Sequence, residues 1–393
     1  NSSMRLLVAT LLMCSSLSVM ASEWSGNVAA EYRSFSETAL APEQHDSYIS
    51  IAAQPEWFHE WDGGNQSFTF VPFYRHDQHD DERTHADIRE LTWLKAADDW
   101  ELRIGIRKVF WGVTESQHLV DIINQTDLVE NIDGEDKLGQ PMINFALIRD
   151  WGTLDLFVLP YFRERTFPGL EGRLRTIPIV DTGNPLFESD KEENHIDYAI
   201  RWQHSIGEWD IGLSHFSGTS RDPLFVFNPV SQKLDPYYEL IEQTGLDLQA
   251  TLDEWLWKLE VIRRSGEDES FFAATGGLEY TFYGVLESAA DIGLVMEYLY
   301  DDRGLQASTP FQDDLMIGLR LALNDEASTE ALIGVIDDRD SSARMLSVEA
   351  SRRIGDSWKL TLEGRWFNNI PVTDPLYSFR NDDVIQLEMA YYF

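Results

Sequence analysis

The chain has 393 residues, with 31 Lys+Arg against 68 Asp+Glu, a formal net charge of −37 and 13 Trp within a 12% aromatic content. Such acidity excludes a nucleic-acid-binding role, which needs a basic face, and one cysteine, Cys14, excludes an internal disulfide framework. Beyond the N-terminal segment no run of about eighteen apolar residues occurs, which excludes helical membrane spans. The mean hydropathy of −0.30 leaves a β-barrel open, because a barrel shows lipid only one side of each strand.

In chain order, Asn1–Ser3 reads as upstream sequence. Met4-Arg5, the apolar run Leu6–Leu12 and the small residues up to Ala21 form a charged start, a short hydrophobic core and a cleavage site. This is the pattern of a secretory signal peptide cut after Ala21. Met13 stands where a lipoprotein anchor needs a small residue, so Cys14 leaves with the signal and no thiolate chemistry is expected afterwards. The expected organisation is therefore residues 1–21 as upstream residues and signal, and 22–393 as one domain. The first strand starts too soon after the cleavage site to leave room for a plug.

Segments of period two follow throughout. Val28, Ala30 and Tyr32 alternate with Asn27, Glu31 and Arg33. Leu102, Ile104 and Ile106 alternate with Glu101, Arg103 and Arg107. Tyr198, Ile200 and Trp202 oppose Asp197, Arg201 and Gln203; Ile292, Leu294, Met296 and Tyr298 oppose Asp291 and Glu297. Ile317, Leu319 and Leu321 oppose Gly318 and Arg320; Leu360 and Leu362 oppose Glu363 and Arg365. Alternation on this scale predicts strands with one apolar and one polar face. Thr84–Ala96 is irregular, with Glu90 sharing a face with Ile88 and Leu94, as at a bulge.

Short acidic turns run directly into Trp at Asp99-Trp100, Asp150-Trp151, Glu208-Trp209, Glu254-Trp255 and Ser357-Trp358. An amphipathic ring at a fixed register suits a membrane boundary. Longer connections are expected at Arg163–Asn194, Gly218–Gly245, Asp301–Asp313 and Asn368–Asp382. Short turns at one end and long loops at the other give about eighteen strands, or sixteen at the lower bound, in an all-β transmembrane antiparallel barrel.

Charges in such a wall must face water or one another. Arg103, Arg107, Arg201, Arg320, Arg353 and Arg365 are expected inside, with Glu101, Glu279, Glu297, Glu349, Glu363 and Glu388. The connection 111–140 carries apolar residues together with Asp121, Asp127 and Glu130, and His118–Glu130 can form a short helix. Folding of this connection into the lumen would place Asp121, Asp127 and Glu130 opposite Arg103, Arg107, Arg201, Arg320 and Arg365 at a pore constriction. An arginine cluster facing acids makes a transverse field that sets ion preference. Arg103 and Arg107 lead because their strand runs into this loop. An arginine–carboxylate network that simply fills the lumen is the competing reading.

Arg75–His85 contains His76, His79 and His85 among carboxylates, a spacing that permits metal binding, although a solvated acidic loop explains it without a metal. His204 and His215 flank a hairpin with Ser205 and Ser214 nearby, but both histidines fall in the lipid-facing register, and no nucleophile motif is present. No cofactor fingerprint appears, and neither a catalytic site nor a cofactor is expected.

The chain closes on Asp383–Phe393, where Ile385, Leu387, Met389, Tyr391 and Phe393 share one apolar face. This ending resembles the closing strand of Gram-negative outer-membrane β-barrels. The resemblance implies that Met389, Tyr391 and Phe393 belong to an assembly signal read by the barrel assembly machinery, with outer-membrane lipid and lipopolysaccharide as surroundings. The layout, with an inward third loop, resembles the general porins. Arg107, Trp111-Gly112, Asp121 and Asp127 also resemble an uncharacterised group of proteobacterial outer-membrane proteins. These likenesses imply a Gram-negative outer-membrane channel for small polar or charged solutes, with homo-oligomers possible. A non-conducting structural or partner-binding barrel is the alternative, and a barrel hydrolase the third.

Overall fold

The computed structural model describes residues 22–393, so the expected signal peptide at 1–21 lies outside the described residues. Its strands are β1 (Ser22–Phe35), β2 (Ser47–Trp61), β3 (Gln66–Asp77), β4 (His85–Ala96), β5 (Trp100–Arg107), β6 (Gln140–Arg149) and β7 (Gly152–Leu159). There follow β8 (Leu186–Phe187), β9 (Asp197–Ile206), β10 (Trp209–Thr219), β11 (Leu224–Asn228), β12 (Lys233–Tyr238), β13 (Leu240–Leu252) and β14 (Trp255–Ser265). The last seven are β15 (Ser270–Phe282), β16 (Asp291–Asp301), β17 (Asp313–Ala322), β18 (Glu330–Asp338), β19 (Arg344–Ile354), β20 (Trp358–Asn368) and β21 (Val384–Tyr392). Eighteen of these form one antiparallel sheet. It closes because β1 pairs with β21, Val28 opposite Tyr391, and Gly26 and Phe393 exchange both backbone hydrogen bonds at 3.1 Å. Strands β8, β11 and β12 form a small separate sheet within the loops at the far end from the termini.

The wall is inside-out relative to a soluble protein. Val28, Tyr32, Ile104, Tyr198, Ile317 and Ile385 are exposed on its outer face, whereas Glu31, Arg75, Asp197, Glu260, Glu297 and Arg365 are buried towards the lumen. An exposed apolar belt of this extent is stable only against lipid. At the end carrying the termini, Trp24, Trp151, Trp209, Trp255 and Trp358 stand exposed at the strand ends. Trp255 packs edge-on against Tyr280, and Trp358 lies 5.1 Å from Tyr391. Four of these five are tryptophans of the acidic turns; the fifth of that set, Trp100, is half-buried against Phe145, and Trp24 takes its place among the exposed rings.

The irregular fourth strand contains a bulge. Val71 pairs with Glu90 but Pro72 pairs with Ile88, so Arg89 is the extra residue. Proline supplies no ladder donor, which suits the interruption. The bulge turns both Arg89 and Glu90 inward and leaves Ile88 outside, while Leu94 stays on the inner face with Glu90, opposite Arg103. Other expectations shift in detail. The connection expected at Gly218–Gly245 shortens to 220–239, and it carries the β11–β12 hairpin. Connections 266–269 and 339–343 at the loop end are short, and the turns 283–290 and 323–329 at the other end are longer than the rest.

Candidate functional site: the lumen and its third loop

Residues 108–139, between β5 and β6, enter the lumen. The short helix expected over His118–Glu130 does not form; among the described residues the chain has only strands and 3₁₀ turns. Within that span side chains take backbone amides, Gln125 Oε1 accepting from Thr126 N at 2.9 Å and Thr166 Oγ1 from Val129 N at 3.2 Å, and its own Asn and Asp side chains turn to the preceding limb. Asn124 Oδ1 accepts from Val109 N at 2.8 Å, and Asp121 Oδ1 accepts from Trp111 N at 3.1 Å. Asn and Asp compete with helical bonding in this way.

The barrel wall completes the pairing. Glu260 of β14, fully buried, accepts from the amides of Val113 (3.0 Å), Thr114 (2.9 Å) and Val120 (3.1 Å) and from the Thr114 hydroxyl. Glu297 of β16 accepts from Glu115 N (2.7 Å), Ser116 N (2.8 Å) and the Ser116 hydroxyl (2.6 Å). Two carboxylates thus act as an inverted cap for a loop tip, each holding three or more donors. Gly112, at φ +146°, makes the close approach possible: a Cβ there would run into Glu260 and the His118 ring. Below the loop, Trp111, Val120, Ile122 and Ile123 pack on Met142, Phe157, Phe216 and Ile262 of the inner wall.

The returning limb is tied to the opposite wall. Glu130 takes a two-pronged bond from Arg75 at 2.7 and 2.7 Å. Asp127 accepts from Arg89 (2.8 Å) and Thr166 (2.7 Å) and meets His85 at 3.0 Å. Burial would raise the Asp127 carboxyl, but His85 and Arg89 outweigh it and hold it at about 2. Burial and the charges of Asp133 and Glu130 push neighbouring Asp136 up to about 7. Asn131 donates to Glu363 at 2.8 Å, and Asp133 meets Arg365 at 3.2 Å.

His118 sits between Glu135 (2.7 Å from Nε2) and Glu260 (3.7 Å from Nδ1). Burial would lower its pKa; the two carboxylates outweigh burial and push it up to about 10. A folded value above the unfolded one means the ring's stabilising charge is complete below its ordinary range and is lost as pH rises through about 10. In a conducting lumen, noise from loop motion is therefore expected to rise above that pH in the parent protein. His118→Gln, uncharged throughout, should already show that noise at neutral pH without the alkaline step. A step of equal size in the variant would remove His118 from the tether.

Cavities flank the loop, three of them sizeable among the described residues. One, of about 680 Å³, lies towards the loop end between the loop and strands β17–β20. Two, of about 630 and 410 Å³, lie on the terminal side along β5–β13. Phe110 lines all three and is 57% exposed. Its ring meets His118 edge-on at 4.8 Å, so an apolar plate stands where the spaces meet.

The eight residues expected at one constriction fall into three groups. Arg103, Arg107 and Arg201 line the terminal-side cavities with Lys108. Arg103 pairs with Glu101 at 2.7 Å and Arg201 with Asp247 at 2.7 Å, while Arg107 donates only to the neutral Asn144 at 2.9 Å. Arg320 and Arg365 hold the loop instead, Arg320 bridging Glu115 (2.7 Å) and Glu279 (2.8 Å). Asp121, Asp127 and Glu130 are buried anchors of the loop and do not face the arginines of the cavities; Asp121 turns to Lys137 at 3.4 Å. Glu260 and Phe110 were not singled out by sequence. The period-two pattern of β14 does place Lys258 and Glu260 inward, which was the available signal.

The histidine motif divides. His76 lies on the outer register of β3, opposite Ile51, and His79 stacks on His45 at 3.7 Å. His85, Asp127 and Glu130 do bring ligand atoms within 4.8 Å of one another, but Arg75 and Arg89 already occupy the two carboxylates. Ser214 is buried towards the lumen, while His215 bonds Glu242 on the outer face, so no serine–histidine pair forms there.

No protein-family model matches the chain, and no curated protein matches it. Among solved structures, a substituted form of Rh. blastica porin is similar at 12% identity, covering 95% of this chain and 100% of that one with a TM-score of 0.47. A second substituted form of the same porin gives 12% identity, coverage of 95% and 100% and a TM-score of 0.47. The outer-membrane expressed OmpT of Vibrio cholerae is similar at 8% identity, covering 95% and 97% with a TM-score of 0.45. By its own strand pairing the chain is a closed, eighteen-stranded antiparallel β-barrel.

Proposed function

We propose that this barrel is an outer-membrane channel of a Gram-negative bacterium that passes small polar or charged solutes. The observation that carries the reading is the third loop, held across the lumen by Glu260 and Glu297 while leaving charge-lined cavities on either side that meet at Phe110. In this reading the signal peptide directs export, lipid and lipopolysaccharide surround the wall, and the C-terminal strand engages the barrel assembly machinery. The test is single-channel conductance and reversal potential in a planar bilayer under a salt gradient. Discrete steps with a definite ion preference support the channel; silence from folded protein removes it.

One observation favours the alternative of a closed, partner-binding barrel. Between β1–β4 and the loop, Glu31, Arg33, Arg75, Asp77, Arg83 and Glu130 form a buried ion-pair cluster that fills that side of the lumen. Phe110→Ala separates the two readings. In a channel, loss of the plate raises conductance without shifting the reversal potential; in a closed barrel both stay at baseline.

Assembly has its own test. Phe393→Ala keeps the backbone bonds to Gly26 and removes only the ring. Insertion into the outer membrane is expected to fall, and heat-resistant folded barrel in membrane fractions measures it. Normal insertion would remove the ring from the assembly signal.

A further inference from the structure

The 680 Å³ cavity has an unusual inner wall. A water-filled barrel normally presents polar groups to its lumen, yet Met316, Leu332, Ile336 and Met345 of β17–β19 line this space, faced by Phe311 and Leu174 from the loops. Val295 and Leu299 extend the same apolar patch beneath Met316 and Ile336. Its volume suits one small organic molecule.

The charges lining it are nearly all paired. Glu115 is held by Arg320, Asp133 and Glu349 by Arg365, Glu135 by His118, and Arg165 by Asp222. Arg175 is the exception. It is 5% exposed, and it donates only to the backbone carbonyls of Leu170 (3.3 Å) and Thr176 (3.0 Å). Among the described residues no carboxylate reaches ion-pair distance of it; Glu43 acts on it most strongly from further away, followed by Asp382, which Arg173 engages at 2.7 Å. The adjacent Thr176 hydroxyl is buried without a hydrogen-bond partner. A buried guanidinium with no counter-charge in contact, beside an unfilled hydroxyl, is costly unless something anionic completes it.

We infer that this cavity binds an amphipathic organic monoanion, its carboxylate on Arg175 and its apolar body along Met316, Ile336 and Met345. The inference rests on the channel reading for its role in permeation, but not for binding. The probe is radiolabelled 4-phenylbutyrate, with gluconate as a polar monoanion. Equilibrium binding is measured on the full chain in nanodiscs, as the difference between parent and variant, which cancels partition into lipid.

Saturable binding that gluconate does not displace is expected. Arg175→Gln should weaken it about tenfold or more, as for loss of a charge-assisted bond, and Met345→Ser should weaken it from the apolar side. Equal binding by Arg175→Gln, or displacement by gluconate at the same concentrations, overturns the inference. Should Arg175→Gln fail to fold, an unchanged affinity in Met345→Ser overturns it. Arg175-dependent binding in a barrel that is silent in bilayers defeats the channel and leaves the inference standing. Conductance without Arg175-dependent binding does the reverse.

Discussion

Replacing Glu260 and Glu297 together with Gln is expected to give the largest change in conductance and in its noise. Each carboxylate receives three or more donors from the loop tip. Glutamine keeps the volume but loses the charge, and its NH₂ end cannot accept, so at least one loop donor at each site is left unpaired. Hydrogen bonds to charged groups are worth about 1.5–3 kcal/mol each and neutral ones about 0.5–1.5. The tether should therefore weaken by roughly 2–4 kcal/mol over the two sites, enough to let the tip leave the wall. Conductance should rise and flicker, and Lys108 and Lys137 should become open to trypsin. Unchanged conductance with unchanged protease resistance would mean that the apolar contacts of Val120, Ile122 and Ile123 hold the loop alone.

The second large effect concerns ion preference. Arg103→Ala with Arg107→Ala should move the reversal potential towards cation selectivity. The two arginines are not equivalent. Arg103 is neutralised by Glu101 at 2.7 Å, whereas Arg107 touches only Asn144 and stands beside Lys108. Arg107→Ala alone should therefore carry most of the shift. A unit charge about 4 Å from an ion's path is worth about 1–4 kcal/mol at effective dielectric constants of about 80–20, and about 1.4 kcal/mol is a decade in permeability ratio. The shift should shrink as salt rises, because the screening length is about 10 Å at 0.1 M and about 3 Å at 1 M. No shift in either variant, or one indifferent to salt, would show that these side chains lie off the ion path, and a shift confined to Arg103→Ala would overturn the ranking of the two.

Much of the barrel was legible because each strand carries its own evidence. Alternation in Trp100–Arg107 or Asp313–Ala322 needs no knowledge of neighbours, and acidic-Trp turns mark one membrane boundary locally. The inward course of the third loop was legible from its apolar residues, which would be stranded in water. The partners of the inward charges were not. Glu260 and Val120 lie 140 positions apart, Asn131 and Glu363 232, and no local pattern encodes such a pairing. For the same reason Asp121, Asp127 and Glu130 read as pore charges: only the fold brings Lys137, Arg89 and Arg75 against them. The expected helix failed because propensity in His118–Glu130 competed with wall carboxylates that no window of sequence contains.

The tethers of the third loop also fix an order of events. The returning limb meets Arg75 and Arg89 on β3 and β4, which precede it, but the partners of the tip and of Asn131–Asp133, namely Glu260, Glu297, Arg320 and Arg365, lie on β14, β16, β17 and β20, later in the chain than the loop. Contacts of such long sequence separation form late, after the intervening chain has paid its loop-closure entropy. The tip cannot seat until those strands stand in the wall, even where the returning limb is already held by β3 and β4. Insertion thus precedes constriction, and a barrel arrested before β20 is in place would be wider than the finished one. Newly assembling barrels should pass through a leaky stage that ends when the last strands bring the loop its partners.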